Sequence, residues 1–272
     1  MCIQELEDAI GVLTNICRRA SFAVEWSNLN VVKISIIVPA FNEEKLLGAT
    51  LRSIHGAREA LTRVGWESEV VVCDNNSTDR TAAIARDAGA RVIFEPVNQI
   101  GRARNAGAAA AAGEWLIFVD ADSHPSPGLF GNVAEAIEDG RYLAGGSTVC
   151  LDGDYPVAKL LTRAWNLVSR IQKWAPGSFI FCAAEAFRAV GGFDQELFAG
   201  EEIDLFKRFK SLARDRRKRI AILHRHPLVT SARKLHLYTP WEHIRFLAKT
   251  LLLFGSPLKK RDECLTWYDG RR

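Results

Sequence analysis

From residue 33 onward, short runs of β-branched and apolar residues alternate with longer segments of helical periodicity. The run from Ile34 to Val38 ends at Pro39, residues 43–63 follow a helical pattern closed by Gly65, and the run from Glu69 to Cys73 opens the next unit. This alternation is typical of βαβ units, in which consecutive strands run parallel and helices cover the sheet. Strands that are apolar on both faces are expected to be buried on both faces. The sequence therefore predicts an α/β fold with a mainly parallel sheet.

The same alternation continues toward residue 181 and defines one domain. We predict further strands at 91–94, 115–119, 143–150 and 177–181, and further helices at 80–88, 102–112, 129–139 and 155–174. Because no linker-like stretch interrupts the second half, we place a single domain at residues 33–235. Apolar residues at helical spacing predict an N-terminal helical extension at 1–32. A basic C-terminal tail at 236–272 contains a predicted amphipathic helix at 241–254.

The composition excludes disordered, collagen-like and disulfide-scaffold proteins. The chain has 272 residues, 48% of them hydrophobic, and its six cysteines form no C-x-x-C pair. These values describe an ordinary globular protein in a reducing compartment. No stretch reaches the roughly 18 apolar residues of a membrane-spanning helix, and no basic segment precedes an apolar core near residue 1. We expect a cytoplasmic protein that neither spans a membrane nor is secreted.

The net charge of +4 combines two oppositely charged parts of the chain. Residues 1–204 carry 18 basic and 27 acidic side chains, whereas residues 205–272 carry 18 basic and 5 acidic ones. A strongly basic segment favours an anionic partner. A helix with an apolar face bordered by cations is suited to an anionic membrane interface, so we expect residues 240–261 to approach such a surface. The alternative is that this helix packs on the domain while its cations are solvated.

Polar side chains follow three of the predicted strands at the point where each strand ends. Asn42 and Glu43 follow the first strand, Asp74 follows the second, and Asp120 and Asp122 follow the fourth. Ligands of open α/β sheets bind outside the carboxyl ends of the strands, so we expect these groups to converge. Two carboxylates one residue apart can hold Mg²⁺ or Mn²⁺ together with substrate phosphates. The alternative for the two aspartates is an ordinary role in capping a turn.

Structural roles also account for several neighbouring residues. Ser77, Thr78 and Asp79 have the chemistry of an Asx-turn and a helix cap. Arg102 and Arg104 lie where guanidinium groups could neutralise phosphate oxygens, although arginines in a first helical turn are often simply solvated.

The ordered motifs of this chain resemble those of family 2 glycosyltransferases of the GT-A fold. The motifs are Val38-Pro39-Ala40-Phe41-Asn42-Glu43, Val72-Cys73-Asp74-Asn75-Asn76-Ser77-Thr78-Asp79, Ala103-Arg104-Asn105-Ala106-Gly107, Phe118-Val119-Asp120-Ala121-Asp122, Gly191-Gly192-Phe193-Asp194 and Gly200-Glu201-Glu202-Ile203-Asp204-Leu205. The resemblance covers residues 33–235. It implies a mixed, mainly parallel GT-A sheet flanked by helices, and sugar transfer from a nucleotide-diphosphate sugar with Mn²⁺ or Mg²⁺.

The resemblance also assigns roles to individual residues. It implies that Asp122 is the principal metal ligand, with Asp120 beside it, and that Glu202 is the base that deprotonates the acceptor hydroxyl. The family usually has Asp at the position of Glu202, and this departure puts the base assignment and the acceptor geometry in question. The alternative is that Glu201, Glu202 and Asp204 only cap a helix. The residues implied to bind the nucleotide sugar are Pro39, Ala40, Asn42, Glu43, Asp74, Asn76, Arg104, Asp120 and Ala121.

Basic residues late in the chain are further candidates. By resemblance, His224 or His226 could supply an additional metal ligand, with His224 preferred, and Arg233 could face the diphosphate. Histidines that follow an apolar run are also common as ordinary residues at the end of a strand.

The expected function is inverting transfer of a sugar to a lipid-linked or cell-envelope glycan, at the inner face of the plasma membrane. One alternative is a nucleotidyltransferase acting on a sugar phosphate, although such enzymes usually carry a glycine-rich loop after the first strand and residues 39–43 contain no glycine. Another is a non-catalytic protein that binds an anionic polymer such as nucleic acid through its basic tail. The aspartate motif has no role in that alternative, so we expect no nucleic-acid partner.

Overall fold

A computed structural model of the protein describes residues 31–153, 155–233, 256–259 and 261–264. The chain divides into two units, residues 1–31 and 32–272, and the elements below belong to the second unit. The described strands are β1 (Lys33–Ala40), β2 (Glu67–Asp74), β3 (Arg91–Phe94), β4 (Trp115–Val119), β5 (Ser123–His124), β6 (Tyr142–Leu151), β7 (Phe179–Ala183) and β8 (Arg219–Thr230). The described α-helices are α1 (Leu47–Arg63), α2 (Thr81–Asp87), α3 (Ile100–Ala110), α4 (Pro127–Glu138), α5 (Pro156–Gln172), α6 (Ala184–Ala189) and α7 (Glu201–Asp215). Two short 3₁₀ helices follow at Ser256–Lys259 and Arg261–Glu263.

The strands form one mixed sheet in the order β3-β2-β1-β4-β7-β6-β8-β5. Strands β3, β2, β1 and β4 are parallel to one another. Strand β7 runs antiparallel between β4 and β6, and β5 is antiparallel to β8 at the other end of the sheet. The predicted α/β class with a mixed, mainly parallel sheet is therefore confirmed.

The sheet separates two apolar layers. In β1, Ile36 belongs to the layer that includes α1 and α4, whereas its neighbour Ile37 belongs to the layer that includes α6 and α7. Both side chains are fully buried. Because successive side chains of a strand point to opposite faces, a strand covered on both sides is buried along its length, as β1 is from Ile34 to Ala40, with Ser35 as its one polar residue there.

Most predicted elements are present with ends shifted by a few residues. The helix predicted from residue 43 begins at Leu47, and the strand predicted at 177–181 lies at Phe179–Ala183. Strand β8 is twelve residues long, whereas the sequence marks only its apolar start at Ile220. The predicted helices at 1–32 and 241–254 lie outside the described residues, and the predicted domain boundaries stay a prediction. Among the described residues, no helix has the length and the apolar content needed to cross a membrane.

Candidate active site

The polar ends of the parallel strands meet at one edge of the sheet. Ala40, the last residue of β1, is in register with Asp74, the last residue of β2. The amide N–H of Asn75 donates to the carbonyl of Ala40 over 2.8 Å, and β4 lies on the other side of β1. The predicted convergence of Asn42, Asp74 and the aspartates after β4 is therefore what the topology produces.

The loops after β1 and β2 are held together by side-chain to backbone hydrogen bonds. Asn42 has a left-handed backbone with φ of 52°, a conformation that asparagine tolerates, and its Oδ1 accepts from the N–H of Thr78 over 2.8 Å. Asp74 is buried, and its Oδ1 accepts from the N–H of Ser77 over 3.0 Å. One carboxylate oxygen of Asp74 thus fixes the loop, and among the described residues no hydrogen bond to the other oxygen is found. Asn76, next in the loop, is exposed.

Glu43 is bound by an arginine that lies 190 residues later in the chain. Nη1 and Nη2 of Arg233 each donate to one carboxylate oxygen of Glu43 over 2.8 Å. This bidentate geometry fixes both side chains more firmly than a single contact would. Nη2 of Arg233 also lies 3.9 Å from Oδ2 of Asp122. The carboxylate of Glu43, expected to line the nucleotide pocket, is therefore occupied by Arg233, and Arg233 itself lies at the aspartate motif.

Arg104 lies beneath the aspartate motif and is only 1% exposed. Its Nη2 donates to Oδ1 of Asp120 over 2.8 Å and to the carbonyl of Gly177 over 2.9 Å, while Nη1 donates to Oε1 of Glu201 over 2.8 Å. Burial alone would lower the pKa of Arg104, but the carboxylates of Asp120 and Glu201 outweigh it and raise the pKa above its usual value. Arg104 is therefore a permanent buried cation.

This position corrects the expectation that Arg104 contacts a bound diphosphate. Its guanidinium is enclosed and its terminal nitrogens are already donating to protein oxygens, so it cannot also reach a ligand on the open edge. Asp120, by contrast, keeps 21% of its side chain exposed. Arg104 orients Asp120 and Glu201 from behind. Glu201, which the sequence suggested only as a helix cap, is thus part of the site.

Glu202 lies in the first turn of α7, directly after the left-handed Gly200 and the buried Glu201. Its side chain is half-buried. Burial and the neighbouring carboxylate of Glu201 together raise the pKa of Glu202 to about 8, against the opposing effect of Arg104. A carboxyl with a pKa in this range can accept or release a proton near neutral pH.

The structure does not bring His224 to the aspartates. The aspartates lie near Thr230 of β8, whose hydroxyl contacts that of Ser123, the residue after Asp122. His224 lies further back along β8, directly after Leu223. In the register with β6, Thr230 pairs with Leu151 and Leu223 pairs with Ser147, so the two positions are four β6 residues apart, about 13 Å at the usual rise per residue. That separation is far beyond any metal–ligand bond, and it corrects the expectation that His224 joins Asp120 and Asp122.

His226 also has a structural neighbour of its own. Its ring lies against the backbone of Gly128, so close that a Cβ atom there would be 2.7 Å from the ring. This glycine lies in the first turn of α4. Gly128 therefore allows β8 to pack on α4, and His226 fills that contact.

The carboxylates at this edge fit a hard divalent cation that is shared with a substrate. Asp122 is buried, and its side-chain contacts among the described residues are a 3.4 Å contact between its Oδ1 and the hydroxyl of Ser123 and the 3.9 Å approach of Arg233. Among the described residues, no group of three or more His, Cys, Asp or Glu side chains is placed to hold a metal. Mg²⁺ and Mn²⁺ are commonly held by one or two carboxylates together with phosphate oxygens and water, so a two-carboxylate site fits such an ion.

The comparisons with known proteins agree with this geometry. The sequence matches the family model for glycosyl transferase family 2 over residues 35–190, more than half of the chain. An uncharacterized glycosyltransferase of Mycobacterium tuberculosis is 34% identical over 138 residues, covering 51% of this chain and 55% of that protein. A dolichol-phosphate mannosyltransferase of Pyrococcus furiosus is 29% identical over 152 residues, covering 52% of this chain and 41% of that protein. The chain thus spans about half the length of the curated relatives that it matches.

The fold has solved counterparts as well. A mannosyltransferase from Pyrobaculum calidifontis, solved in complex with GDP-Man and Mn²⁺, superimposes with a TM-score of 0.59. The two share 20% sequence identity, and the alignment covers 80% of this chain and 62% of the other. At that identity the likeness shows the fold alone. Together with the family match over residues 35–190, it leads to one conclusion: this chain belongs to glycosyl transferase family 2.

Proposed function

We propose that the chain transfers a sugar from a nucleotide-diphosphate sugar to a hydroxyl group of a lipid-linked or cell-envelope glycan, with inversion at the anomeric carbon. The observation that supports this most is the buried connection between the aspartate motif and the first turn of α7. Asp122 ends the motif after β4, while Glu202, with a pKa raised to about 8, lies in the first turn of α7. Arg104 links the two by binding both Asp120 and Glu201.

The donor would bind along the carboxyl ends of β1, β2 and β4. The free carboxylate oxygen of Asp74 is suited to the N–H of a base or to a ribose hydroxyl, and Asn76 is exposed beside it. The backbone of Pro39, Ala40 and Asn42 would line the nucleoside pocket. Asp122 and Asp120 would hold Mn²⁺ or Mg²⁺ together with the diphosphate, and the ion would stabilise the charge that develops on the leaving group.

The transfer step would be a single displacement. Glu202 accepts the proton of the acceptor hydroxyl, whose oxygen forms a bond to the anomeric carbon. The bond from that carbon to the β-phosphate oxygen breaks, and the nucleoside diphosphate leaves with the electron pair. Arg233, next to Asp122, adds positive charge on the side where the diphosphate would lie.

Two substitutions test this proposal. With a panel of UDP- and GDP-sugars and a lipid-linked acceptor, we expect Asp122→Ala and Glu202→Gln each to lower kcat by at least about 100-fold, the effect usually seen when a general base or a charge-stabilising group is removed. Release of nucleoside diphosphate and incorporation of label into acceptor are the measurements. Asp87→Ala and Glu138→Gln remove exposed carboxylates elsewhere and serve as matched controls.

Three outcomes would contradict the proposal. Full activity of Glu202→Gln would rule out Glu202 as the base. Release of pyrophosphate from a nucleoside triphosphate would favour a nucleotidyltransferase. Steeply salt-dependent binding to nucleic acid without any sugar transfer would favour an anionic-polymer-binding protein.

We further propose that the chain acts in the cytoplasm at the inner face of the plasma membrane, where the basic segment 240–261 would contact anionic lipid.

A further inference from the structure

Helix α5 turns an apolar face outward. Ten large hydrophobic side chains among the described residues are strongly exposed, and six of them belong to this one helix. Their exposed fractions reach 74% for Val157, 65% for Leu160 and 66% for Ile171. The complete outward apolar set is Val157, Leu160, Leu161, Ala164, Leu167, Val168 and Ile171. Contiguous exposed apolar patches of this kind mark interaction sites rather than ordinary surface.

The inward face of α5 is held by polar contacts. Asn166 exchanges two hydrogen bonds with Val149 of β6, accepting from its N–H over 3.0 Å and donating to its carbonyl over 2.8 Å. Ser169 is fully buried, and its hydroxyl donates to the carbonyl of Trp174 over 2.6 Å. These bonds fix the rotation of the helix about its axis. The apolar stripe therefore faces outward because of how the helix is anchored.

The outward stripe is bordered by positive charge. At about 100° per residue, the seven apolar positions fall in an arc of about 120°, and Arg163 and Arg170 lie along one edge of that arc. Both arginines are exposed, as is Lys173 at the C-terminal end of the helix. No acidic residue occurs between residues 155 and 184. An apolar stripe with a cationic border and no acidic residues is complementary to an anionic, partly apolar surface.

Both ends of α5 connect to the candidate active site. Five residues after the helix, the carbonyl of Gly177 accepts from Arg104, and the carbonyl of Ser178 accepts from the N–H of Asp120 over 3.2 Å. Before the helix, Asp152 accepts a hydrogen bond from the N–H of Ala232, next to Arg233. A surface that binds α5 therefore also lies near the site where an acceptor would enter.

We propose that helix α5 lies in the interface of an anionic lipid bilayer, with its apolar stripe among the acyl chains and with Arg163 and Arg170 at the headgroups. This docks the catalytic edge of the sheet against the membrane, where the hydroxyl of a lipid-linked acceptor would be presented. The role of this contact in presenting the acceptor hydroxyl rests on the proposed function, whereas the membrane contact itself does not. It also involves a different segment of the chain from residues 240–261.

Vesicle binding of the full chain, measured without any nucleotide sugar, tests the proposal independently of catalysis. We expect cosedimentation with vesicles that contain about one third phosphatidylglycerol, and binding at least about tenfold weaker to pure phosphatidylcholine vesicles. The triple variant Leu160→Ser/Leu167→Ser/Ile171→Ser should lower the partition coefficient at least about tenfold, because it removes most of the buried apolar area. The variant Arg163→Glu/Arg170→Glu should also lower the partition coefficient at least about tenfold, but only for the anionic vesicles.

Matched substitutions on other surfaces provide the controls. Val31→Ser/Val64→Ser/Phe94→Ser removes three exposed apolar side chains elsewhere, and Arg52→Glu/Arg86→Glu makes the same change of charge away from α5. Both controls should bind as the unmodified chain does. Because every substituted residue is exposed, unchanged far-ultraviolet circular dichroism and melting temperature should confirm folding.

Several results would overturn the proposal. One is the absence of binding to anionic vesicles by the unmodified chain, and another is full binding by the Leu160/Leu167/Ile171 variant. Loss of binding only in the tail variant Phe246→Ser/Leu252→Ser would assign the contact to the tail. A dimer in sedimentation velocity that the α5 variant abolishes, without vesicle binding, would assign the stripe to a second copy of the chain.

Discussion

At the scale of single residues, the buried cation Arg104 is the group on which the geometry of the site depends most. It neutralises Asp120 and the buried Glu201 at once, so its removal would leave a buried carboxylate without a partner. Breaking a buried ion pair by deleting one member typically costs about 3–5 kcal/mol. We expect Arg104→Met to lower the free energy of unfolding by that amount in urea titrations followed by circular dichroism. The exposed Arg86→Met is the matched control.

A double variant distinguishes an unpaired charge from lost packing. In Arg104→Met/Glu201→Gln the unpaired carboxylate is also removed, so part of the lost stability should return. Equal destabilisation in the single and the double variant would mean that packing of Arg104 against Phe193, whose ring centre is 5.1 Å away, matters more than charge.

The raised pKa of Glu202 predicts how stability depends on pH. The folded protein keeps the proton on this carboxyl up to about pH 8, whereas the unfolded chain releases it near the ordinary value of 4.5. The contribution of Glu202 is therefore fully present below about pH 4.5 and is lost as pH rises through 8. Glu202→Gln, which cannot ionise, should become progressively more stable than the unmodified chain between pH 5 and 8, by roughly 1–3 kcal/mol after allowance for partial exposure.

Melting temperatures measured across this pH range provide the test. The variant Glu138→Gln removes an exposed carboxyl on α4 and is the control for the loss of one negative charge. A constant difference between Glu202→Gln and the unmodified chain would show that the carboxyl titrates normally.

The residue scale also shows what sequence alone could and could not specify. Asp74, Asp120, Asp122 and Glu202 were identifiable because each follows a strand or starts a helix at a fixed position in a motif. The partners of Arg104 were not, because they lie 16 and 97 residues away and only the folded chain joins them. The bidentate pair of Glu43 and Arg233 spans 190 residues for the same reason. The local sequence pattern predicts which polar side chains are candidates for the site, whereas long-range contacts decide which of them are already paired with another side chain.

At the scale of elements, the strands that sequence predicts best are those buried on both faces. Residues 36–40 of β1 form a continuous apolar run, and residues 70–73 of β2 and 115–119 of β4 share that pattern. Strand β8 is harder to predict because residues 224–227 are polar or proline and bulge out of register against β6. Proline and exposed polar residues normally argue against a strand. The antiparallel placement of β7 between β4 and β6 is likewise set by pairing across the whole chain.

Helix α3 must approach β1 closely in order to carry Arg104 under the aspartate motif. A Cβ atom at Gly107 would lie 2.4 Å from Cγ2 of Ile37, closer than atoms can pack, so the helix can sit at this height only with glycine there. We expect Gly107→Ala to lower the free energy of unfolding by about 1–3 kcal/mol through overpacking. We also expect it to lower transfer activity, because it displaces Arg104.

Gly56 in α1 provides a matched substitution of the same chemistry. A Cβ atom there would have nothing within 4 Å, so Gly56→Ala should stabilise the chain by about 0.5–1 kcal/mol through helix propensity. Urea unfolding of both variants makes the comparison. If Gly107→Ala were as stable as Gly56→Ala, α3 would be free to shift away from β1.

At the scale of the whole molecule, the proposed metal site is one that a substrate would complete. Two carboxylates leave most of the coordination sphere of Mn²⁺ or Mg²⁺ to phosphate oxygens and water. A ligand that binds only the folded state raises stability by RT ln(1 + L/Kd), where L is the free ligand concentration, which is about 2.7 kcal/mol when L is 100 times Kd. Metal and nucleoside diphosphate should therefore stabilise the chain far more together than the sum of their separate effects.

Thermal unfolding with Mn²⁺ alone, with UDP or GDP alone, and with both together measures this coupling. We expect a small shift in Tm with either component and a shift of several degrees with both, because each supplies ligands that the other needs. In Asp122→Ala the excess over the separate shifts should disappear, while the shift with nucleotide alone should remain, since Asp74 is untouched. A full shift with Mn²⁺ alone would mean that the protein itself completes the coordination sphere. The substrate would then not be the missing ligand, and the order of binding would have to be metal first.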